Sequence, residues 1–345
     1  MQRRGTFGGG VSPRDALLRG QSIIEYVLII AVIGLVIVFA GPGVAGAIRN
    51  QFNLVGNTVN SGTAGGTEGG TAGGGSAGAD SATVQAAVAK DAKDWTLGEQ
   101  KAVAEDIAAK GEASPAYAKA KVAMDAGTKF SMKLTDGKTL EYRIIGINHD
   151  DLADGSGKAG LTFLTTSAGI KSRMSSSCWF DDGGWEGSEL RAKMNSGEIW
   201  NLMPSEFQSK VKSVSKQTVS QLRNDRSDIG TTDPANKNAA VTVTSDKLFL
   251  LSYSEIVETP YSSLSAWSWV GKEGTQYEAF KGKVTNNNNS NRAIVLGSLG
   301  SGSKWWERSG HPMYPSMCLR VDEWGDPLEE SNPLESLCVC PAWCF

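Results

Sequence analysis

The chain has 345 residues and a formal net charge of −3, and a balance without basic excess argues against nucleic acid as a partner. Its two histidines, His149 and His311, lie far apart, which leaves little for histidine-based catalysis or a histidine-rich metal site. The length allows two ordinary domains and at least one large core.

Residues 1–20 form a basic leader: Arg3, Arg4, Arg14 and Arg19 face only Asp15. Gly20-Gln21-Ser22-Ile23-Ile24-Glu25-Tyr26 follows and runs into the apolar stretch from Val27 to Ala40. From Tyr26 to Ile48 the 23 residues are uncharged, about 34 Å as a helix and long enough to span a bilayer. The spacing therefore predicts a transmembrane helix within residues 21–55. By the positive-inside rule the N-terminus stays in the cytoplasm and everything after Arg49 is exported. Val44-Ala45-Gly46-Ala47 imitates a secretory cleavage site, which keeps a signal peptide as the alternative. Glu25 is costly in lipid, roughly 2.5–3.5 kcal/mol at a helix centre and less near an end, so a partner for it is expected. Gly34 allows close approach of a neighbouring backbone, and Pro42, between two glycines, weakens or kinks the helix.

This motif resembles the processing site of type IV pilin-like proteins, specifically the small Flp (tight-adherence) pilins, over roughly residues 14–60. The resemblance implies that a prepilin peptidase cuts after Gly20 and leaves Gln21 as the new terminus. Glu25 and Tyr26 then occupy the fifth and sixth positions, as in that family. The new α-amino group would pair with Glu25 of a neighbouring subunit, offsetting the cost of the carboxylate and fixing the stagger between subunits. Members of the family are usually very short, so the long remainder of this chain departs from them.

Residues 56–82 read as a flexible tether, since Ser61 to Ala79 is almost wholly Gly, Ser, Thr and Ala. About 20 such residues span roughly 22–27 Å on average. Residues 83–127 read as a helical segment. Thr96-Leu97-Gly98-Glu99 predicts a capping box opening a helix that ends at Gly111, and Ser114-Pro115 opens a second that ends near Gly127.

Residues 128–345 read as an exported α+β domain. Phe130 to Thr135 and Thr139 to Ile145, joined through Asp136-Gly137, predict a hairpin. Ala240 to Thr244 and Lys247 to Ser252 read as strands, and Ser188 to Asn195 and Pro204 to Val211 as short helices. Nine of the ten tryptophans lie here. Trp185, Trp305 and Trp306 suit core packing, Arg191 and Arg308 suit paired hydrogen bonds to carboxylates or carbonyls, and Trp267 and Trp269 are candidates for a sugar-stacking face. Asn148 to Gly155 lacks the alternating acids of a calcium loop and reads as a solvated turn; Asp181-Asp182 reads the same way.

Several segments together resemble a bacterial surface domain of uncharacterised function associated with C-type-lectin-like or formylglycine-generating-enzyme-like folds. They are Gly183-Gly184-Trp185 with Ser188 to Arg191, Ser245 to Ser252 with Glu255, Glu273-Gly274 with Tyr277, Trp305 to Ser309, and Pro341-Ala342. Gly310 and Trp343 stand where that family tends to carry proline and phenylalanine. The resemblance implies a fold and a surface location, and says little about a ligand.

Cys178, Cys318, Cys338, Cys340 and Cys344 lie beyond the apolar segment, where disulfides persist. Cys338 and Cys340 share a face if Leu337 to Val339 is a strand, so each is expected to pair elsewhere. Cys318, in an apparent neighbouring strand, is the preferred partner, and the odd count leaves one thiol over. A zinc cluster is the alternative, although Cys-x-Cys-x3-Cys lacks paired Cys-x2-Cys halves. The expected whole is a long N-terminal transmembrane/pilin helix, a tether, a helical segment and an irregular α+β, C-type-lectin-like distal domain. It would serve as a minor or tip pilus subunit for surface adhesion, without metal, cofactor or catalytic residues. Expected partners are other pilin subunits, the prepilin peptidase and secretion machinery, the membrane before assembly, and glycans. Its place is the cell membrane before assembly and the surface pilus after it. A surface lectin not assembled into a filament and an anchored surface enzyme are the alternatives.

Overall fold

Residues 81–177, 183–219, 241–258, 270–284, 303–311, 314 and 316–345 are described by a computed structural model. They fall within one compact unit, Ser76–Phe345, and the other unit, Met1–Gly75, lies outside the described residues.

Three helices lead the described fold: α1 (Ser81–Ala89), α2 (Leu97–Lys110) and α3 (Tyr117–Asp125). The helix α2 starts as its sequence dictates. The Thr96 hydroxyl accepts from the Glu99 amide at 3.2 Å, and the Glu99 carboxylate accepts from the Thr96 amide at 2.7 Å. It stops at Gly111, whose φ of 58° suits a residue without Cβ. Between these ends Val103, Ala104 and Ile107 are fully buried, while Lys101, Glu105 and Lys110 lie along the other side. A side-chain link runs onward, because the Tyr142 hydroxyl donates to Gln100 Oε1 at 3.2 Å.

The chain then forms β1 (Phe130–Lys133) and β2 (Thr139–Ile147), the hairpin expected around Asp136-Gly137, followed by β3 (Leu161–Thr165) and β4 (Lys171–Ser172). Four short helices follow: α4 (Gly184–Gly187), α5 (Glu189–Asn195), α6 (Glu198–Leu202) and α7 (Ser205–Gln208). Next come β5 (Val214–Val219), β6 (Val241–Asp246), α8 (Tyr253–Ile256), β7 (Trp305–Gly310), β8 (Cys318–Val321), β9 (Glu329–Ser331), β10 (Leu337–Cys338) and β11 (Ala342–Cys344). The strands make a four-stranded antiparallel sheet β1-β2-β3-β11, a five-stranded sheet β4-β10-β7-β8-β9, and the hairpin β5-β6. In the five-stranded sheet only the β10–β7 pair is parallel.

One segment ties the two larger sheets together. Leu337 to Cys344 contributes β10 to the five-stranded sheet and, a few residues on, β11 to the four-stranded one. Its aromatic end fills the core, with the Trp343 ring 4.9 Å from that of Tyr142 and 5.9 Å from that of Phe163. Trp185, Trp305 and Trp306 are buried as well, in keeping with their expected packing role.

The fold expected from the sequence needs correction. No helix among the described residues is long and apolar enough to cross a membrane. The longest of them, α2, has 14 residues, five of them charged, and buries one side only. The segment read as a transmembrane helix, residues 21–55, lies outside the described residues. What is described is a mixed α+β domain. The helical segment does not stand apart from it, since Trp95, Val103 and Ile107 share one core with the sheets. The expected strand Lys247 to Ser252 is not one either. Leu248 to Leu251 are fully buried, but the carbonyls of Leu250 and Leu251 accept from the side chain and amide of Arg308.

The backbones of α2 and of the residue before β3 approach closely. A Cβ on Gly160 would lie 1.8 Å from the Ala104 carbonyl oxygen, a position no flexible side chain can vacate. Gly160→Ala is therefore expected to destabilise the full chain by about 1–3 kcal/mol in chemical denaturation; an unchanged midpoint would refute the close docking of α2.

Candidate functional site

Most residues singled out by sequence for delivery and recognition, namely Gly20, Gln21, Glu25, Tyr26, Pro42, Cys178, Trp267 and Trp269, lie outside the described residues, as do Asp181 and Asp182. The other four cysteines, Cys318, Cys338, Cys340 and Cys344, are buried free thiols. The pairing expected between Cys318 and Cys338 or Cys340 fails on topology. The strand β7 runs between β8 and β10, and the register sets Cys318 opposite Gly310 but Cys338 opposite Trp305, so Cys318 and Cys338 are separated by more than two strand spacings, about 9–10 Å, beyond the roughly 7 Å reach of a disulfide. Burial pushes all four thiols up, and the Cys344 thiol donates to Asp150 Oδ2 at 3.5 Å.

What the structure does assemble is a charged centre that the sequence reading did not foresee. Strand alternation sends Val214, Lys216 and Thr218 inward from β5. Lys216 Nζ contacts Asp150 Oδ1, donates to Glu255 Oε1 at 2.9 Å and to the Tyr277 hydroxyl at 2.9 Å, and lies 4.0 Å above the Phe249 ring. Arg308, inward on β7, forks onto both Glu255 oxygens and donates to the carbonyls of Leu250 at 2.9 Å and Gln217 at 3.1 Å. Glu255 is held by a capping box at the start of α8, where the Ser252 amide donates to Oε2 at 3.0 Å. Gly274 makes room for it, since a Cβ there would sit 2.9 Å from Glu255 Cγ.

Asp150 is the surprise. The turn Asn148 to Gly155, expected to be solvated, exposes Asp151 and Asp154 but turns Asp150 inward. Its Oδ2 accepts from the Thr162 hydroxyl at 2.6 Å, and both oxygens accept from the Tyr277 hydroxyl at 2.9 and 3.0 Å. Burial alone would push the Asp150 and Glu255 carboxyls up. The Lys216 ammonium beside Asp150, and the Arg308 guanidinium with Lys216 beside Glu255, outweigh it and hold both below the usual carboxylate range. Lys216 in turn is pulled down by burial and held up more strongly by Asp150 and Glu255. Arg191 plays the bracing role expected of it nearby, donating from Nε to the buried Asp246 at 2.6 Å, and Trp185 Nε1 donates to the other Asp246 oxygen at 2.9 Å.

Two further acids lie against this centre. The Glu273 carboxylate accepts from the Val219 amide at 2.9 Å and meets the Ser309 hydroxyl, yet burial pushes it up to about 7 despite Arg308. Glu307 is fully buried, and its carboxyl has no hydrogen-bond partner among the described residues. Burial, with Glu273 and Asp326 adding to it, pushes that group well up and so favours its neutral form. Among the described residues no group of three or more His, Cys, Asp or Glu stands together as a metal site.

On the surface, Lys171, Ser303, Lys304, Ser336 and Cys338 line a cleft of about 220 Å³. Glu323 closes one side and lies 3.7 Å from Lys304 Nζ. The chemistry of this lining, two ammonium groups and two hydroxyls, suits an oxyanion.

The raised Glu273 gives a pH signature. As pH rises from 4.5 to about 7, the unfolded chain has released a proton that folded Glu273 retains, so this group's contribution to stability is lost across that window and constant above it. His311, held at about 4 by burial, acts in the opposite sense as pH falls below 6.5. The difference between the wild type and Glu273→Gln isolates the first effect. The variant should gain on the wild type by on the order of 3 kcal/mol over that window in denaturation curves; a difference independent of pH would contradict the raised acid.

A family model described as "Domain of unknown function (DUF6273)" matches residues 159–342. The match takes in Lys216, Glu255, Glu273, Tyr277 and Arg308, and leaves out Asp150, Cys344 and the leading helices. No curated protein and no solved structure matches the chain. With more than half of its length matched, the chain belongs to this family of domains of unknown function, DUF6273.

Proposed function

We propose that the chain is a structural subunit, minor or at the tip, of a tight-adherence-type pilus, and that its C-terminal domain is displayed for surface adhesion. The observation that carries this reading is the segment Gly20 to Tyr26. It combines a glycine behind a basic leader with a glutamate and tyrosine at the fifth and sixth positions after it, followed by an uncharged apolar run. Cleavage after Gly20 by a prepilin peptidase frees the Gln21 amine, and Glu25 of an adjacent subunit is its partner in the assembled filament. The subunit waits at the cell membrane with the domain exported and moves to the surface pilus on assembly.

The described domain supports the reading from the other end. Lys216, Asp150, Glu255 and Arg308 lie in the interior and are spent on one another, an arrangement that serves rigidity. Adhesion then falls to the outer surface, where the cleft lined by Lys171 and Lys304 favours acidic sugars. The same cleft favours a second reading, a surface lectin that never enters a filament.

N-terminal sequencing of the exported protein should begin at Gln21; a start at Met1 or after Ala47 would overturn the pilin reading. Glu25→Ala should leave export intact and abolish incorporation into filaments, whereas filaments that still contain this variant would favour the lectin reading. On an array of acidic glycans, Lys171→Glu with Lys304→Glu should weaken binding by at least roughly tenfold, about 1.4 kcal/mol. Equal binding by the parent and the variant would remove the cleft from the proposal.

A further inference from the structure

We propose that Lys216 and Asp150 condense into an intramolecular isopeptide bond, with Glu255 relaying the protons. The inference stands on geometry rather than on the family or the N-terminal motif. Three residues from three separate elements converge on one nitrogen: Lys216 from β5, Asp150 from the turn after β2, and Glu255 from α8. The side chains of all three are between 3% and 4% exposed, so bulk water has almost no access to the reacting atoms.

The surroundings supply what amide formation needs. Lys216 Nζ rests on the Asp150 carboxylate and over the Phe249 ring at 4.0 Å, which holds the nitrogen against the carboxyl in a site closed to solvent. Oδ2 of Asp150 accepts from the Thr162 hydroxyl at 2.6 Å, a donor aimed where negative charge grows as the carboxyl carbon becomes tetrahedral, and the Tyr277 hydroxyl is shared between Oδ1 at 2.9 Å and Oδ2 at 3.0 Å. Oδ1, on the Lys216 side, is the oxygen placed to leave. Glu255 Oε1, 2.9 Å from Nζ, is the carrier between nitrogen and leaving oxygen.

The step balances without any other reactant. The pair starts as ammonium and carboxylate. One proton passes from Nζ through Glu255 to Asp150 Oδ1, giving a neutral amine and a neutral acid. The Nζ lone pair attacks Asp150 Cγ, forming the carbon–nitrogen bond. A second proton passes from Nζ through Glu255 to the same oxygen. The Cγ–Oδ1 bond then breaks, and one water departs. Glu255 ends as it began, still paired with Arg308. Held contact between amine and carboxyl is worth an effective concentration of about 10⁵–10⁸ M, which favours closure of an amide that dilute reactants would not form. The product also removes two buried charges and the desolvation cost of each.

The test is the intact mass of the full chain after reduction, followed by peptide mapping. The expected mass is lower than that of the sequence by one water, and digestion should yield a branched peptide joining the Asp150 and Lys216 segments. Lys216→Arg and Asp150→Ala should restore the full mass. Glu255→Gln should slow the appearance of the branched peptide by about 10²–10⁴-fold. Wild-type chain at its full sequence mass, with linear peptides carrying Asp150 and Lys216, overturns the proposal even if the variants do not fold. A water lost elsewhere while both linear peptides persist overturns it equally.

Discussion

The pairing of Arg308 with Glu255 is the constraint on which the rest of the described domain depends. Neither ion is stable in an apolar interior alone, and each is fixed by further bonds: Glu255 by its capping box and Lys216, Arg308 by the carbonyls of Leu250 and Gln217. Those bonds reach three layers. Arg308 sits in the five-stranded sheet, Lys216 in the hairpin β5-β6, and Asp150 next to the four-stranded sheet. A charge chain that alternates acid and base therefore threads elements that share few direct backbone bonds. The apolar run Leu248 to Leu251 reads as a strand but pairs only through the Phe249–Ala342 bridge, while the carbonyls of Leu250 and Leu251 accept from Arg308.

The same arrangement separates the interior from the surface in functional terms. Asp150, Lys216, Glu255 and Arg308, which would be candidates for acid–base chemistry in an open site, are here enclosed and paired with one another. Burial pushes Glu273 up to about 7 despite Arg308, and pushes Glu307 well up. What faces outward is different in kind: a cleft with two lysines and hydroxyls, with Glu323 at one side, whose chemistry suits an anionic group.

Local signals in the sequence were legible where they act locally. Thr96 and Glu99 announce the start of α2, Gly111 its end, and Asp136-Gly137 the β1-β2 hairpin, because caps and turns are decided within a few residues. The bracing roles of Arg191 and Arg308 were legible too, since a guanidinium among tryptophans needs carboxylates or carbonyls. Strand order was not. Cys318 and Cys338 look like neighbours along the chain's strand pattern, and only the insertion of β7 between their strands separates them. Asp150 was hidden for a similar reason. It stands among Asp151 and Asp154 in a turn, and its partner Lys216 lies 66 residues away. The one local hint was the alternation Val214, Lys216, Thr218, which places a lysine on an inward face and asks for a buried acid.

Whether this charged chain truly organises the domain is measured most directly by a double-mutant cycle on Arg308 and Glu255 in chemical denaturation. Arg308→Met and Glu255→Leu should each destabilise the domain by about 3–5 kcal/mol, because each leaves an unpaired buried charge. The double substitution should cost clearly less than their sum, since no charge is then left without its partner. Small single effects that simply add would contradict a domain organised around this pair.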